Sequence, residues 1–96
     1  MIRHTVVFRL KHPRGSTAEA AFLKAADVLN AIPGVENFEK LRQVSSKNDF
    51  DFGFSMTFKS RKEYNYYDNH PDHVNFVQNR WIPEVAKFME IDYEKL

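Results

Sequence analysis

The chain has 96 residues, with fourteen basic and thirteen acidic side chains, a formal charge of +1 and no cysteine. One hydrophobic core is all that this length supports, so residues 1–96 are expected to form a single domain. No basic block provides the footprint of a nucleic-acid binder, and the lack of cysteine excludes disulfides, thiolate metal sites and cysteine nucleophiles. No apolar run is long enough to span a bilayer and no signal-peptide core is present, so the expectation is a cytoplasmic protein with no membrane partner. Nine Phe, four Tyr and one Trp are more aromatic surface than one small core needs. The excess points to a second buried face, most simply supplied by a partner subunit.

The opening "MIRHTVVFRLK" alternates with period two. Ile2, His4, Val6, Phe8 and Leu10 share one face and Arg3, Thr5, Val7 and Arg9 the other, which predicts a strand with His4 on its apolar side. "STAEAAFLKAADVLNAIPG" predicts a helix: Ser16 and Glu19 form a capping box, Ala18, Phe22, Ala25, Leu29 and Ile32 form an apolar stripe, and Pro33-Gly34 ends it. "ENFEKLRQVSS" reads as a second strand, polar enough to be an edge. In "FDFGFSMTFKS", Phe50, Phe52, Phe54, Met56 and Phe58 line one face against Asp51, Gly53, Ser55 and Thr57. That aromatic face must be covered, most simply by helices.

Ser60 and Glu63 repeat the capping-box pattern and open a helix over "RKEYNYYDN". Pro71 biases His70 away from helical angles, so the helix ends or kinks there and restarts in "PDHVNFVQNRWI", with Val74, Val77 and Trp81 on one face. After Pro83 a last strand is predicted, with Val85, Lys87, Met89, Ile91 and Tyr93 alternating against Ala86, Phe88, Glu90 and Asp92. The order strand, helix, strand, strand, helix, strand predicts an α+β fold of ferredoxin-like βαββαβ type. Its four-stranded antiparallel sheet carries both helices on one face. The other face stays bare in a monomer, and Val7, Met89, Ile91 and Tyr93 are candidates to lie on it. Two such sheets stacked in a homodimer would solve that exposure.

The opening "RHTVVFRLK", the "IPGV" after the first helix, the "HPDHVNF" segment and the closing "EIDYE" together resemble the stress-responsive α/β-barrel (Dabb) domain, over essentially the whole chain. The resemblance implies a ferredoxin-like protomer that dimerises through its sheet into an α/β barrel. One branch of that family comprises polyketide cyclases of the olivetolic acid cyclase type, which close a linear polyketide by intramolecular aldol condensation without a cofactor. Carried over position by position, the resemblance implies catalytic roles for His4, Tyr67 and His73. The cyclases carry a further tyrosine where Ala25 stands and a histidine where Phe52 stands, so the expectation here is a pocket that is smaller, greasier or filled by its own Phe side chains. Its walls are expected from Phe22, Ala25 and Leu29 of the first helix, Phe52, Phe54 and Met56 of the aromatic strand, and Val77.

Taking a proton from beside a carbonyl needs a base titrating near neutrality, and histidine's ordinary value of about 6.5 suits it. A tyrosine hydroxyl can hold the developing oxyanion. This reading makes His73 the base, Tyr67 the oxyanion donor and His4 a second acid or hydrogen-bonding group, acting on a small hydrophobic carbonyl ligand. The competing reading makes the same residues a structural network in a non-catalytic binding or stress-associated domain, with His4 tied to His73 or Tyr67. A metal held by His70, Asp72, His73 and His4 is a third reading, but the proline between the two histidines disturbs the usual helical pair. A helix junction explains "HPDH" more simply, so no metal and no cofactor are assigned. No G-x-S-x-G elbow is present, and glycines at positions 15, 34 and 53 make no phosphate-cradling loop.

Overall fold

A computed structural model describes residues 1–96. Strand β1 spans Ile2–Leu10, followed by helix α1 at Thr17–Ala25, which tightens into a 3₁₀ segment over Ala26–Ala31. Strands β2, Glu36–Arg42, and β3, Phe52–Phe58, follow. Helix α2 covers Arg61–Asn69 and α3 Pro71–Phe76, continued by a π-helical stretch Val77–Trp81, a short α4 at Ile82–Glu84, and strand β4 at Val85–Tyr93. The sheet is antiparallel with order β2-β3-β1-β4, the expected ferredoxin-like arrangement.

The capping chemistry sets the helix starts. Ser16 Oγ accepts from the Glu19 amide at 3.2 Å while the Glu19 carboxylate accepts from the Gly15 amide at 3.1 Å. Ser60 caps α2 and donates its hydroxyl to the Glu63 carboxylate, a hydrogen bond that holds Glu63 below the usual carboxylate range. Gly34 stops the first helix at φ 93°, where a Cβ would come 3.3 Å from Glu63 Cβ.

The core lies between the sheet and the helices. The covered face of β1 places Phe8 at its centre, touching Phe22, Phe52, Phe54 and Trp81 with ring centroids 4.7–5.8 Å apart. Phe22 is fully buried and also meets Phe76 and Trp81.

Three facings differ from the expected pattern, each for a backbone reason. In the first helix the buried stripe is Phe22, Ala26, Leu29 and Ile32, with Ala18 exposed and Ala25 only half-buried. The 3₁₀ segment, with three residues per turn, brings 26, 29 and 32 into line. After Pro71 the inward stripe runs through His73, Phe76, Val77 and Trp81; Val77 and Trp81 face inward as expected, but Val74 is exposed and His73 takes its place. In β4 the pairing with β1 shifts between Arg9 and Leu10, so Ala86 is bulged out and Val85 faces the helices with Phe88, Glu90 and Asp92. The expected alternation placed Val85 on the opposite face. Strands β2 and β3 are also shorter than their sequence patterns, ending at Arg42 and beginning at Phe52.

On the uncovered face Val7 pairs with Met89, Thr5 with Ile91 and Arg3 with Tyr93. Met89, Ile91 and Tyr93 remain 48%, 37% and 54% exposed, which is a substantial apolar strip for a single chain.

Truncating Phe22 to alanine removes a fully buried ring that three other aromatics pack against. The Phe22→Ala protein is expected to lose about 3–5 kcal/mol of stability, read from the urea-unfolding midpoint at fixed protein concentration.

Candidate functional site

Beneath the helices, between β1, β3 and β4, lies a cavity of about 530 Å³, within the range of small-molecule sites. Eleven of its fourteen lining residues are hydrophobic, and its polar end is formed by His4, Tyr67, His73 and Glu90. Edge strand β4 explains the opening: helices cover β1 and β3, while the whole strand after Val85 remains exposed. Phe88 and Ile82, 53% and 62% exposed, belong to the wall and mark the mouth.

Of the seven expected wall residues, Leu29, Phe54, Met56 and Val77 line the cavity. Phe22, Ala25 and Phe52 do not. Phe22 and Phe52 are committed to the aromatic core around Phe8, with the Arg42 guanidinium 5.4 Å from the Phe52 ring centre on its other side. Ala25 packs at the core margin because the 3₁₀ segment rotates Ala26 inward in its place. Phe76, Ile82, Val85, Phe88 and Glu90 are wall residues that the periodicity did not single out, and Trp81, expected on the apolar face of its helix, is a wall residue as well.

His4 sits on the covered face of β1 and is 6% exposed. A buried imidazole needs hydrogen-bond partners. The expected ones were Tyr67 or His73; the observed ones are Asp92 and Tyr64. His4 Nδ1 lies 2.6 Å from Asp92 Oδ1 and 2.7 Å from the Tyr64 hydroxyl oxygen, and that hydroxyl donates to Asp92 Oδ2 at 2.8 Å. Asp92 faces His4 directly across the β1–β4 ladder, and Tyr64 reaches in from α2. With Asp92 as carboxylate, one assignment satisfies all three contacts. Nδ1 carries the hydrogen, shared between Asp92 and the Tyr64 oxygen, and the Tyr64 hydrogen goes to the second carboxylate oxygen. His4 Nε2 is then the lone-pair nitrogen.

Tyr67 is buried, with its ring 4.4 Å from that of His73 and 6.2 Å from that of His4. Its hydroxyl has no hydrogen-bond partner within the chain, nor has His4 Nε2. The one fully buried side-chain polar atom without a hydrogen bond is Arg80 Nε, which lies 2.8 Å from the Glu84 carboxylate but out of alignment with it. The Tyr67 hydroxyl and His4 Nε2 are therefore reached by solvent, and for both residues the cavity is the route. His73 Nδ1 donates to the Asp68 carbonyl at 3.0 Å, which leaves its own Nε2 as acceptor.

His70 plays a separate part. Its Nδ1 accepts from the Asp72 amide at 3.1 Å and so caps α3, with Pro71 at the first helical position. No three histidines or carboxylates in the chain cluster as a metal-holding group.

Burial and the negative charges of Asp68 and Glu90 raise the Tyr67 hydroxyl well above the usual tyrosine value. Tyr64 is raised likewise, first by burial and then by its bond to Asp92. Burial also raises the Asp68 carboxyl, against the opposing pull of His73. Both tyrosines thus stay protonated donors across the physiological range.

With the geometry in hand, the molecule is a ferredoxin-like α+β protein with an apolar cavity whose end carries two histidines and a tyrosine. The chain belongs to the Dabb family: the model of the stress responsive A/B barrel domain matches residues 2–95. It is similar to a Dabb family protein with a ferredoxin-like fold from Mesorhizobium loti, with 57% identity, TM-score 0.97, and 99% of this chain and 96% of that one covered. A dimeric ferredoxin-like protein from Thermobifida fusca superposes with TM-score 0.81 at 22% identity over 98% of this chain and 90% of that one. The hydroxynitrile lyase of Passiflora edulis superposes with TM-score 0.82 at 17% identity over 96% and 90%. No relative of the chain is found among curated proteins. No helix is long and apolar enough to cross a membrane.

An unfolded tyrosine ionises near pH 10, whereas the folded Tyr67 hydroxyl keeps its proton beyond that. Its contribution to stability is therefore complete below about pH 10 and is lost as pH rises above it. The urea midpoint is expected to fall above about pH 10, and Tyr67→Phe, which has no proton to lose, is expected to show a shallower fall.

Proposed function

We propose that this protein is a cofactor-free enzyme that performs acid–base chemistry on a small apolar carbonyl compound, as an aldol-type cyclase, isomerase or lyase. The observation that supports it most is a ligand-sized apolar cavity ending on three side chains that each keep one polar atom without a partner within the chain: His4 Nε2, the Tyr67 hydroxyl and His73 Nε2. A site built only for structure would close its polar atoms on one another.

The geometry favours a change in the roles first assigned. His4 is the better base, because its Nδ1 is held by Asp92 in the way that fixes tautomer and ring orientation, with Nε2 left to accept a proton. Tyr67, kept protonated by burial, donates to the oxygen on which negative charge develops. The proton taken by His4 Nε2 returns to the product from that same nitrogen, and His73 beside Tyr67 offers its Nε2 as a hydrogen-bond acceptor to the ligand. The apolar walls exclude water from the reacting carbon and hold the rest of the ligand. A hydroxynitrile lyase is one enzyme with this fold, and cleaving a hydroxynitrile likewise begins with removal of a hydroxyl proton and ends in a carbonyl.

The tests are turnover assays over a panel of small aldehydes, ketones and hydroxynitriles. His73→Ala and Tyr67→Phe are expected to lower kcat/KM by about 10²–10⁴-fold while the folding transition persists. His4→Gln is expected to lower kcat with little change in KM. Ligand binding without turnover would replace this reading with that of a non-catalytic ligand-binding domain in which His4 braces the fold, and turnover unaffected in all three variants would remove these residues from the chemistry.

The same proposal includes a homodimer formed through the uncovered sheet face. Its support is the exposed strip of Met89, Ile91 and Tyr93, together with the dimeric ferredoxin-like proteins that share the fold. Sedimentation should give twice the 11.3 kDa chain mass, and Ile91→Asp should shift the protein toward monomer. A monomeric wild type would overturn this part.

A further inference from the structure

We infer that Glu90 makes the cavity discriminate by charge, admitting uncharged ligands and rejecting carboxylates and phosphate esters of the same carbon skeleton. The inference rests on the proposed ligand-binding reading and narrows its substrate class.

Glu90 lies opposite Val6 on β4, on the face turned to the helices, between Phe88 and Asp92. Its carboxylate is part of the cavity wall, and no lysine or arginine lines that wall. Glu90 enters none of the ion pairs or side-chain hydrogen bonds of the chain, so its charge is not neutralised locally. Two more carboxylates back the same end: Asp92 behind His4, and Asp68 one residue after Tyr67. Neither is paired with a lysine or arginine. The Tyr67 hydroxyl is raised by burial first and then by Asp68 and Glu90, in keeping with a negative field at the atom that would meet the ligand.

A ligand whose carbonyl approaches Tyr67 and the histidines brings its polar head to this end. A neutral carbonyl meets donors there, whereas an anion meets an unpaired like charge at the edge of an apolar wall. Glu90 is exposed, so water screens part of the repulsion, and the expected penalty is about tenfold in affinity, or ~1.4 kcal/mol. An anion-binding pocket would instead show an arginine or lysine on its wall.

Trp81 is the single tryptophan and lines the cavity, so its fluorescence reports occupancy. Titrate the full chain with 2-octanone and with octanoate, at a pH well above the ordinary histidine range, then repeat both titrations with Glu90→Gln. The wild type is expected to bind the ketone at least about tenfold more tightly, and Glu90→Gln to shrink that ratio to about threefold or less, chiefly through tighter octanoate binding. Equal or tighter octanoate binding by the wild type, or a ratio unchanged in Glu90→Gln, overturns the charge inference and leaves the cavity reading standing. If neither ligand shifts Trp81 emission, the cavity reading fails, and the inference with it.

Discussion

The hydrogen bonding of His4 is the constraint around which this molecule is arranged. An imidazole on the covered face of a central strand loses its water, and the chain replaces that water with a carboxylate from the neighbouring strand and a phenol from the overlying helix. The three contacts join β1, α2 and β4 at one point. They also tie down the last strand, which is an edge with no helix above most of it and whose closing residues are otherwise open to solvent. Because Nδ1 is occupied in this way, the remaining ring nitrogen belongs to the cavity. A bracing interaction and an unpartnered lone-pair nitrogen are therefore two sides of one ring, and the structural reading of His4 and the proposed catalytic one are not alternatives at the level of geometry.

The cavity follows from the same asymmetry. Aromatic side chains from β1 and β3 meet the first helix in a solid core around Phe8, where no room is left. Towards β4 the helical layer thins to the π-helical stretch and the short α4, and the filling side chains give way to a hollow. The bulge at Ala86 turns Val85 to the same side as Phe88, giving the hollow an apolar floor along an edge strand. The π-helical stretch keeps Val77 and Trp81 facing that floor. Strand and helix irregularities thus coincide on the two sides of the site, where regular elements would have packed flush.

Much of this was legible from residue order. Period-two patterning gave β1 and β3 with their correct covered faces, the two Ser–Glu pairs gave the helix starts, and Pro71 gave the break between α2 and α3. That His4, Tyr67 and His73 would border one cavity was also readable, from the resemblance to the family and from their inward-facing positions. What stayed hidden depends on register and backbone pitch. Asp92 and Tyr64 are 88 and 60 residues from His4, and only the β1–β4 pairing shows that Asp92 stands opposite it. A bulge at Ala86 has no signature in "VAKFME", and neither does a 3₁₀ tightening at Ala26 in an alanine-rich helix. Each displaces a facing by one residue, enough to move Ala25 off the wall and Val85 onto it. Phe22 and Phe52 fill the core around Phe8 and not the cavity wall, because an apolar face says what is buried, not whether the space beside it is filled.

Pro71 shows how a local constraint reaches the site. It fixes His70 in an extended conformation, φ −65° and ψ 136°, where the ring can cap α3 but cannot turn inward. The new helix then starts with its own phase, and that phase brings His73 against Tyr67 rather than onto the surface stripe that continuing α2 would have given. Two histidines three residues apart are thereby given unlike environments: one spends its Nδ1 on a backbone amide, the other bonds a carbonyl and keeps a nitrogen free. Without the proline, both would ride one continuous helix, and α2 and α3 could not present Tyr67 and His73 to the same cavity wall. The helix break is therefore part of the site, because it lets His73 of α3 meet Tyr67 of α2 at the cavity wall.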